Sequence, residues 1–248
     1  MRAEDARVRR AGHTTRSMRY AFIFLTLGIG FTALAIQRGG WAWLLIWPGL
    51  SSTLVGIGYA GLGARVFGKR ADGGYPFWAK IIHLPYLLIT LGIWHALRLA
   101  LPESPADQIA PGIWVARRPL HFEIPLDVRW IIDVTAEFFV AARVRAGRDY
   151  ICYPTLDGHV CNAAQFATIV REVAALDGGI LIHCAQGHGR SAALAAALLI
   201  ARGLAENIDD AERLMTAVRP KVRLKASQRA LVKAFAAQQR PTPLAASH

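Results

Sequence analysis

Apolar positions fall in two styles along this chain. In the first hundred residues they run unbroken for the length of a helix; afterwards they come in short bursts separated by turn residues. Tyr20 to Ile36 holds 17 residues without a charge, and Trp41 to Leu62 holds 22. Each is long enough to cross a bilayer as a helix. The tight connection Gln37-Arg38-Gly39-Gly40 joins them, and Trp41, Trp43 and Trp47 stand where an interfacial belt would. Gly56, Gly58, Gly61 and Gly63 predict a small-residue face for close helix approach. A third stretch, Ile81 to Leu101, is less pure, with His83, Pro85, His95 and Arg98. It reads either as a third span or as a helix lying in the interface.

Beyond Pro102-Glu103-Ser104-Pro105 the pattern changes. Gly112–Ala116, Trp130–Val134 and Tyr150–Tyr153 read as short strands. Ala163–Leu176 has helical periodicity, and further helices are expected at 191–202, 208–218 and 226–237. Ile180 to Ile182 is a strand fit for burial on both faces. Strands alternating with helices predict an α/β domain with a largely parallel sheet flanked by helices, preceded by an α-helical membrane region. The division expected is a basic cytoplasmic tail at 1–19, a membrane region of two to three helices at 20–101, a linker at 102–110, a catalytic domain at 111–240 and a flexible tail at 241–248.

Composition supports a membrane protein with a soluble part: 54% of residues are hydrophobic and only 19% charged. The net charge of +12 is concentrated near the start, where residues 1–100 carry 12 Lys/Arg against 3 Asp/Glu. That asymmetry speaks for membrane topology. No basic stripe interleaved with aromatics is present, so nucleic acid is not expected as a partner. Tyr20–Ile36 is followed by no Ala-x-Ala cleavage site and so reads as a retained helix. Three cysteines, Cys152, Cys161 and Cys184, are too few for a disulfide framework. Cys152 and Cys161 read as core residues, with a redox partnership to Cys184 as the other option.

The chemistry-bearing stretch is Gly178-Gly179-Ile180-Leu181-Ile182-His183-Cys184-Ala185-Gln186-Gly187-His188-Gly189-Arg190-Ser191. A strand that turns through glycines into a helix N-terminus aims backbone N–H groups at one point, which suits a dianion. Cys184 at the mouth of such a nest is favoured as a thiolate. The Arg190 fork can grip two phosphoryl oxygens.

The spacing Cys-x5-Arg-Ser, preceded by His183, resembles the signature of cysteine-dependent protein tyrosine phosphatases, and within them the dual-specificity group. Ile113–Pro119, Ile131–Glu137 and Arg219-Pro220 with Ser227-Gln228 are similar to other segments of that domain, so the resemblance covers roughly residues 110–238. It implies Cys184 as nucleophile, and a substrate phosphate held by Ala185, Gln186, Gly187, His188, Gly189 and Arg190. It also implies Ser191 as the hydroxyl that stabilises the departing thiolate, and His183 as a residue orienting the loop. Asp157, 27 residues before Cys184 in Pro154-Thr155-Leu156-Asp157, matches the family's general acid, although Asp-Gly is also a common turn. Asp133 and Glu137 are its rivals. His188 stands where some lipid phosphatases have lysine, and either contacts substrate or faces solvent.

The resemblance therefore implies a membrane-anchored phosphatase acting on phosphate monoesters, whether phosphoprotein, lipid or small ester, with neither metal nor cofactor. The alternative is a tethered phospho-binding module without turnover. Nothing in the pattern speaks to oligomeric state. For the setting, a multi-pass protein of a bacterial-type inner membrane is expected. Basic residues before the first helix and between the second and third place those segments in the cytoplasm, so three spans put the catalytic domain on the outer face. A low-pKa thiolate argues instead for the reducing side, but the 21-residue length of Ile81–Leu101 and its flanking charges tip the expectation to the outer, periplasmic face.

Overall fold

The run Ile180–Ile182 becomes the middle of a five-stranded sheet. In the computed structural model the described residues are 2–158 and 161–239, with side chains described from residue 17 onward. The strands are β1 Ala106–Ala110, β2 Ile113–Ala116, β3 Val128–Thr135, β4 Asp149–Thr155 and β5 Gly179–His183. Their order is β1-β2-β5-β3-β4, parallel except for the antiparallel edge strand β1. Every residue of β5 is buried, as an unbroken apolar strand between two helical layers must be.

The helices are α1 Arg2–Arg38, α2 Ile46–Ile57, α3 Phe77–Ile82, α4 Leu84–Ala100, α5 Ala142–Arg145, α6 Ala163–Ala174, α7 Arg190–Ala201, α8 Ile208–Val218 and α9 Ala226–Gln239. The small side chains of α7 let it pack against the sheet, α6, α8 and α9 together, so that it is buried from Arg190 to Leu199. Asn162 caps α6 and Asn207 caps α8 by accepting backbone N–H groups. The expected strands and helices of this half are all present. β1 lies within the segment expected to be linker, because its residues pair with β2 as an edge strand. The tail at 241–248 lies outside the described residues.

The N-terminal region is a helical hairpin with a folded-back base. Ser17–Arg38 and Gly40–Phe67 are each long and apolar enough to cross a membrane, with mean hydropathies of 1.8 and 1.2. The two approach closely where side chains are missing: a Cβ on Gly28 would lie 2.2 Å from Thr53 Oγ1, and one on Gly56 2.8 Å from Leu25 Cγ. Helix α1 reaches back to Arg2, into the stretch expected to be a tail. The expected glycine face is only partly realised. Gly61 and Gly63 meet nothing; they break the helix instead, with Gly63 at φ 66°, and turn the chain back on itself.

The third apolar stretch is not one span. It is divided at His83 into α3 and α4, with Pro85 in the first turn of α4. At 17 residues α4 is short, and one side of it is committed to the α/β domain. Leu87 joins a buried cluster with Tyr59, Phe67 and Tyr75 of the N-terminal region and Ala136 and Leu156 of the domain. Arg98 at its far end makes a forked ion pair with Glu123. A second tie is polar: Lys69, fully buried, donates to Asp133 Oδ2 and to the Thr135 carbonyl, each at 2.7 Å. The N-terminal region is thus built into the domain face.

Candidate active site

Parallel pairing of β5 with β2 and β3 sets His183 beside Ala116 and Asp133, so the following loop leaves the sheet at the carboxyl ends of the strands. Gly187 crosses so close to β2 that a Cβ would lie 2.6 Å from the Ala116 carbonyl carbon, and its φ of 77° also asks for glycine. The loop carbonyls are held from outside. Ala185 O accepts from the Arg118 N–H at 3.1 Å and from the Trp94 indole at 3.0 Å. Arg219 donates to the Gln186 and Gly187 carbonyls at 3.0 and 3.2 Å.

Inside the loop, Cys184 Sγ accepts from the Gly187 N–H at 3.2 Å and the Ser191 hydroxyl at 3.3 Å. Burial alone would push this thiol up. The Arg190 guanidinium and the hydrogen bonds from Ser191 and Gly187 outweigh it and hold the thiol below its ordinary value. Arg190 is buried and aimed by Glu137, which takes both its ends at 2.8 and 2.5 Å, with the Thr155 carbonyl at 2.6 Å. Burial would lower this guanidinium's pKa; Glu137 more than offsets it. Asp157 Oδ1 stands 3.6 Å from Arg190 Nη2 with its side chain 57% exposed, at the rim of the loop. Its neighbour Leu156 is buried among aromatic residues of the N-terminal region.

The structure therefore brings Cys184, Gly187, Arg190, Ser191 and Asp157 to one place. Gly189 lies against Gln228 of α9, which would be 3.2 Å from a Cβ there. His188 turns away: its Nε2 is 2.9 Å from Glu103, which also pairs with Lys221. Burial lowers the His188 pKa against the opposing pull of Glu103. His183 is buried under the loop, Nδ1 3.4 Å from the Cys184 carbonyl and Nε2 3.9 Å from Asp133; burial lowers its pKa too. Cys152 and Cys161 are free thiols whose pKa values burial raises, Cys152 to about 12, so neither is poised as a thiolate. Cys161 borders an apolar pocket of about 40 Å³ behind Arg190.

Two rivals for the acid have other work. Glu137 is spent on Arg190, and Asp133 is buried under Lys69, Tyr150 and Thr135. The pairing role of Glu137 had one sequence signal, its place just past a strand that could lie beside the signature strand. Trp94 and Lys69 carried none, because their partners lie far along the chain, and Arg219 stood out only within Arg219-Pro220, with no sign of its bonds to the loop.

No protein-family model and no curated protein matches the chain. Among solved structures, the fold is similar to that of PTPMT1 in complex with PI(5)P, at 22% identity and TM-score 0.47, covering 54% of this chain and 96% of that one. It is similar to Tk-PTP in the active form, at 22% and 0.48, covering 54% and 97%. It is also similar to the human tyrosine phosphatase-like serine/threonine/tyrosine-interacting protein, at 19% and 0.48, covering 55% and 98%. These are likenesses of fold.

Proposed function

We propose that the chain is a membrane-anchored, cysteine-dependent phosphatase that hydrolyses phosphate monoesters through a phosphocysteine intermediate. The observation that carries this reading is the Cys184 sulfur cradled by Gly187 and Ser191, with Arg190 locked onto Glu137 beside it. With the Ala185, Gln186 and Gly187 carbonyls held outward, the loop N–H groups can converge on the equatorial oxygens of a phosphoryl group bound over Cys184, and Arg190 supplies the opposing charge.

In the first step the Cys184 thiolate attacks phosphorus in line. An S–P bond forms as the ester P–O bond breaks, and Asp157 gives its proton to the leaving oxygen. In the second, water attacks the phosphocysteine and loses a proton to Asp157. The S–P bond breaks, phosphate departs, and the Ser191 hydroxyl steadies the returning thiolate. Replacing Asp157 by asparagine is expected to slow alkyl phosphates by about 10²–10⁴-fold, and to spare aryl phosphates whose leaving groups need no proton. Equal losses across a leaving-group series, measured on the full chain in detergent, would remove Asp157 from the role. Absence of turnover by the unaltered chain with any monoester would leave only a phosphate-binding module.

The membrane setting belongs to the same reading. Two crossings return the chain to the side on which it began. The outward arrangement needs a third, which α4 cannot make while Leu87, Trp94 and Arg98 hold the domain along its length. The domain then shares the side of Arg65, Lys69 and Arg70, which the positive-inside rule makes cytoplasmic, and a thiolate is preserved there. Because the anchor supplies part of the wall around Asp157 and the loop, a phosphate presented at the membrane surface is favoured over a freely soluble ester.

A further inference from the structure

Helix α4 has two faces, one packed on the domain and one exposed and apolar. Its inner side carries Leu87, Trp94 and Arg98, all turned to the domain. Its outer side carries Leu88, Ile89, Ile93 and Leu99 at helical spacing, with Gly92 and Ala96 between them. Ile89 is 64% exposed and Leu99 86%. No Lys, Arg, Asp or Glu interrupts this outer arc, since Arg98 faces inward, and the exposed His95 borders it beside Leu88. In α3, Phe77 and Trp78 are exposed as well, followed by the exposed Lys80. The end of α3 is in turn fastened to the hairpin, where the Trp47 indole donates to the Ile81 carbonyl at 2.8 Å. At the hairpin base, where Ser17 bonds the Tyr59 carbonyl, Arg19, Arg65 and Arg70 are exposed around the junction.

We propose that the outer face of α4 lies in the lipid bilayer, in the plane of the interface, within the leaflet that α1 and α2 enter from the domain side. This inference rests on the membrane-anchored reading above. A helical face free of Lys, Arg, Asp and Glu, on a helix packed against α2 of the membrane-crossing hairpin, has lipid as its immediate neighbour. The arginines at the junction match anionic headgroups. The helix cannot stand upright across the membrane, because the domain occupies its inner side from Leu87 to Arg98. Trp94, on that inner side, bonds the Ala185 carbonyl, so seating α4 places the Cys184–Arg190 loop at headgroup depth.

Photo-crosslinking tests this without needing turnover. Ile93→p-benzoylphenylalanine is introduced into the full chain, which is then reconstituted in vesicles of phosphatidylcholine and phosphatidylglycerol. Ile29→p-benzoylphenylalanine in α1 serves as the anchor control. Leu126→p-benzoylphenylalanine, at a position 98% exposed on the domain, serves as the aqueous control. Illumination is expected to join Ile93 to phospholipid at the headgroup-proximal part of the acyl chain, with a yield roughly tenfold above that at Leu126. A crosslink to a second copy, an adduct confined to the acyl chain ends, or a yield no higher than at Leu126 overturns the proposal. No lipid adduct at Ile29 sinks the anchored reading itself; an adduct at Ile29 without one at Ile93 sinks only the role of α4.

Discussion

Replacing Cys184 by serine should abolish turnover of every phosphate monoester while leaving the chain folded and able to hold phosphate. The exchange swaps one buried sulfur for a smaller oxygen, and the donors from Gly187 and Ser191 can still reach it. What is lost is the nucleophile. A serine hydroxyl beside Arg190 has no base to take its proton, because Glu137 is occupied and His183 lies under the loop with Nδ1 directed to a carbonyl. The expected fall in kcat is on the order of 10⁴ or more. On the proposed mechanism, the unaltered chain should in parallel trap phosphate on Cys184 when quenched in mid-reaction. Its alkylation rate should rise with pH through a midpoint below the ordinary thiol value of about 8.5, because Arg190 and its hydrogen bonds outweigh burial. A serine variant with wild-type turnover, or an alkylation midpoint above that value, removes Cys184 from the centre of the mechanism.

The part of this site that is local in sequence was legible, and the part made by distant partners was not. Ile180–Ile182 announces a two-sided strand because burial on both faces leaves no room for alternation. The glycines after it announce the turn, and Arg190-Ser191 the helix start. Helix α8 has the bounds expected, since its cap and periodicity are contained within it. By contrast, Lys69 and Asp133 are 64 positions apart, His188 and Glu103 are 85, and Trp94 and Ala185 are 91. No periodicity encodes such pairs. The third apolar stretch shows the limit most clearly. A mostly apolar stretch of this length can pass for a span, yet here one side packs against protein. β1 escaped because Ala106-Asp107-Gln108 is a short, mixed edge strand with no alternation of its own.

Replacing Lys69 by methionine should destabilise the folded chain by about 3–5 kcal/mol at neutral pH, because it strips the counter-charge from a buried carboxylate. Asp133 is 2% exposed and takes hydrogen bonds from Lys69, from the Tyr150 hydroxyl at 2.6 Å, and from the Thr135 N–H and hydroxyl at 2.7 Å. Burial alone would raise its pKa; Lys69 above all, with His183 and these donors, holds it well below the carboxylate range. In the wild type the unfolded chain therefore binds the proton more readily than the folded one. The stability Asp133 contributes is present above its unfolded pKa of about 3.9 and lost as pH falls through the lower folded value. Without Lys69 the largest of these opposing pulls is gone, so the folded pKa rises from its low wild-type position. The variant's deficit at neutral pH then shrinks as acid protonates Asp133. The gap between the two proteins should narrow steadily on acidification, read as urea midpoints of the full chain in detergent. Lys69→Met combined with Asp133→Leu should restore most of the loss, since neither charge then remains buried. A neutral-pH loss below about 1 kcal/mol, or a gap that widens in acid, would mean that this lysine is a surface contact. It would then not be the bond by which the N-terminal region holds the floor beneath the Cys184 loop.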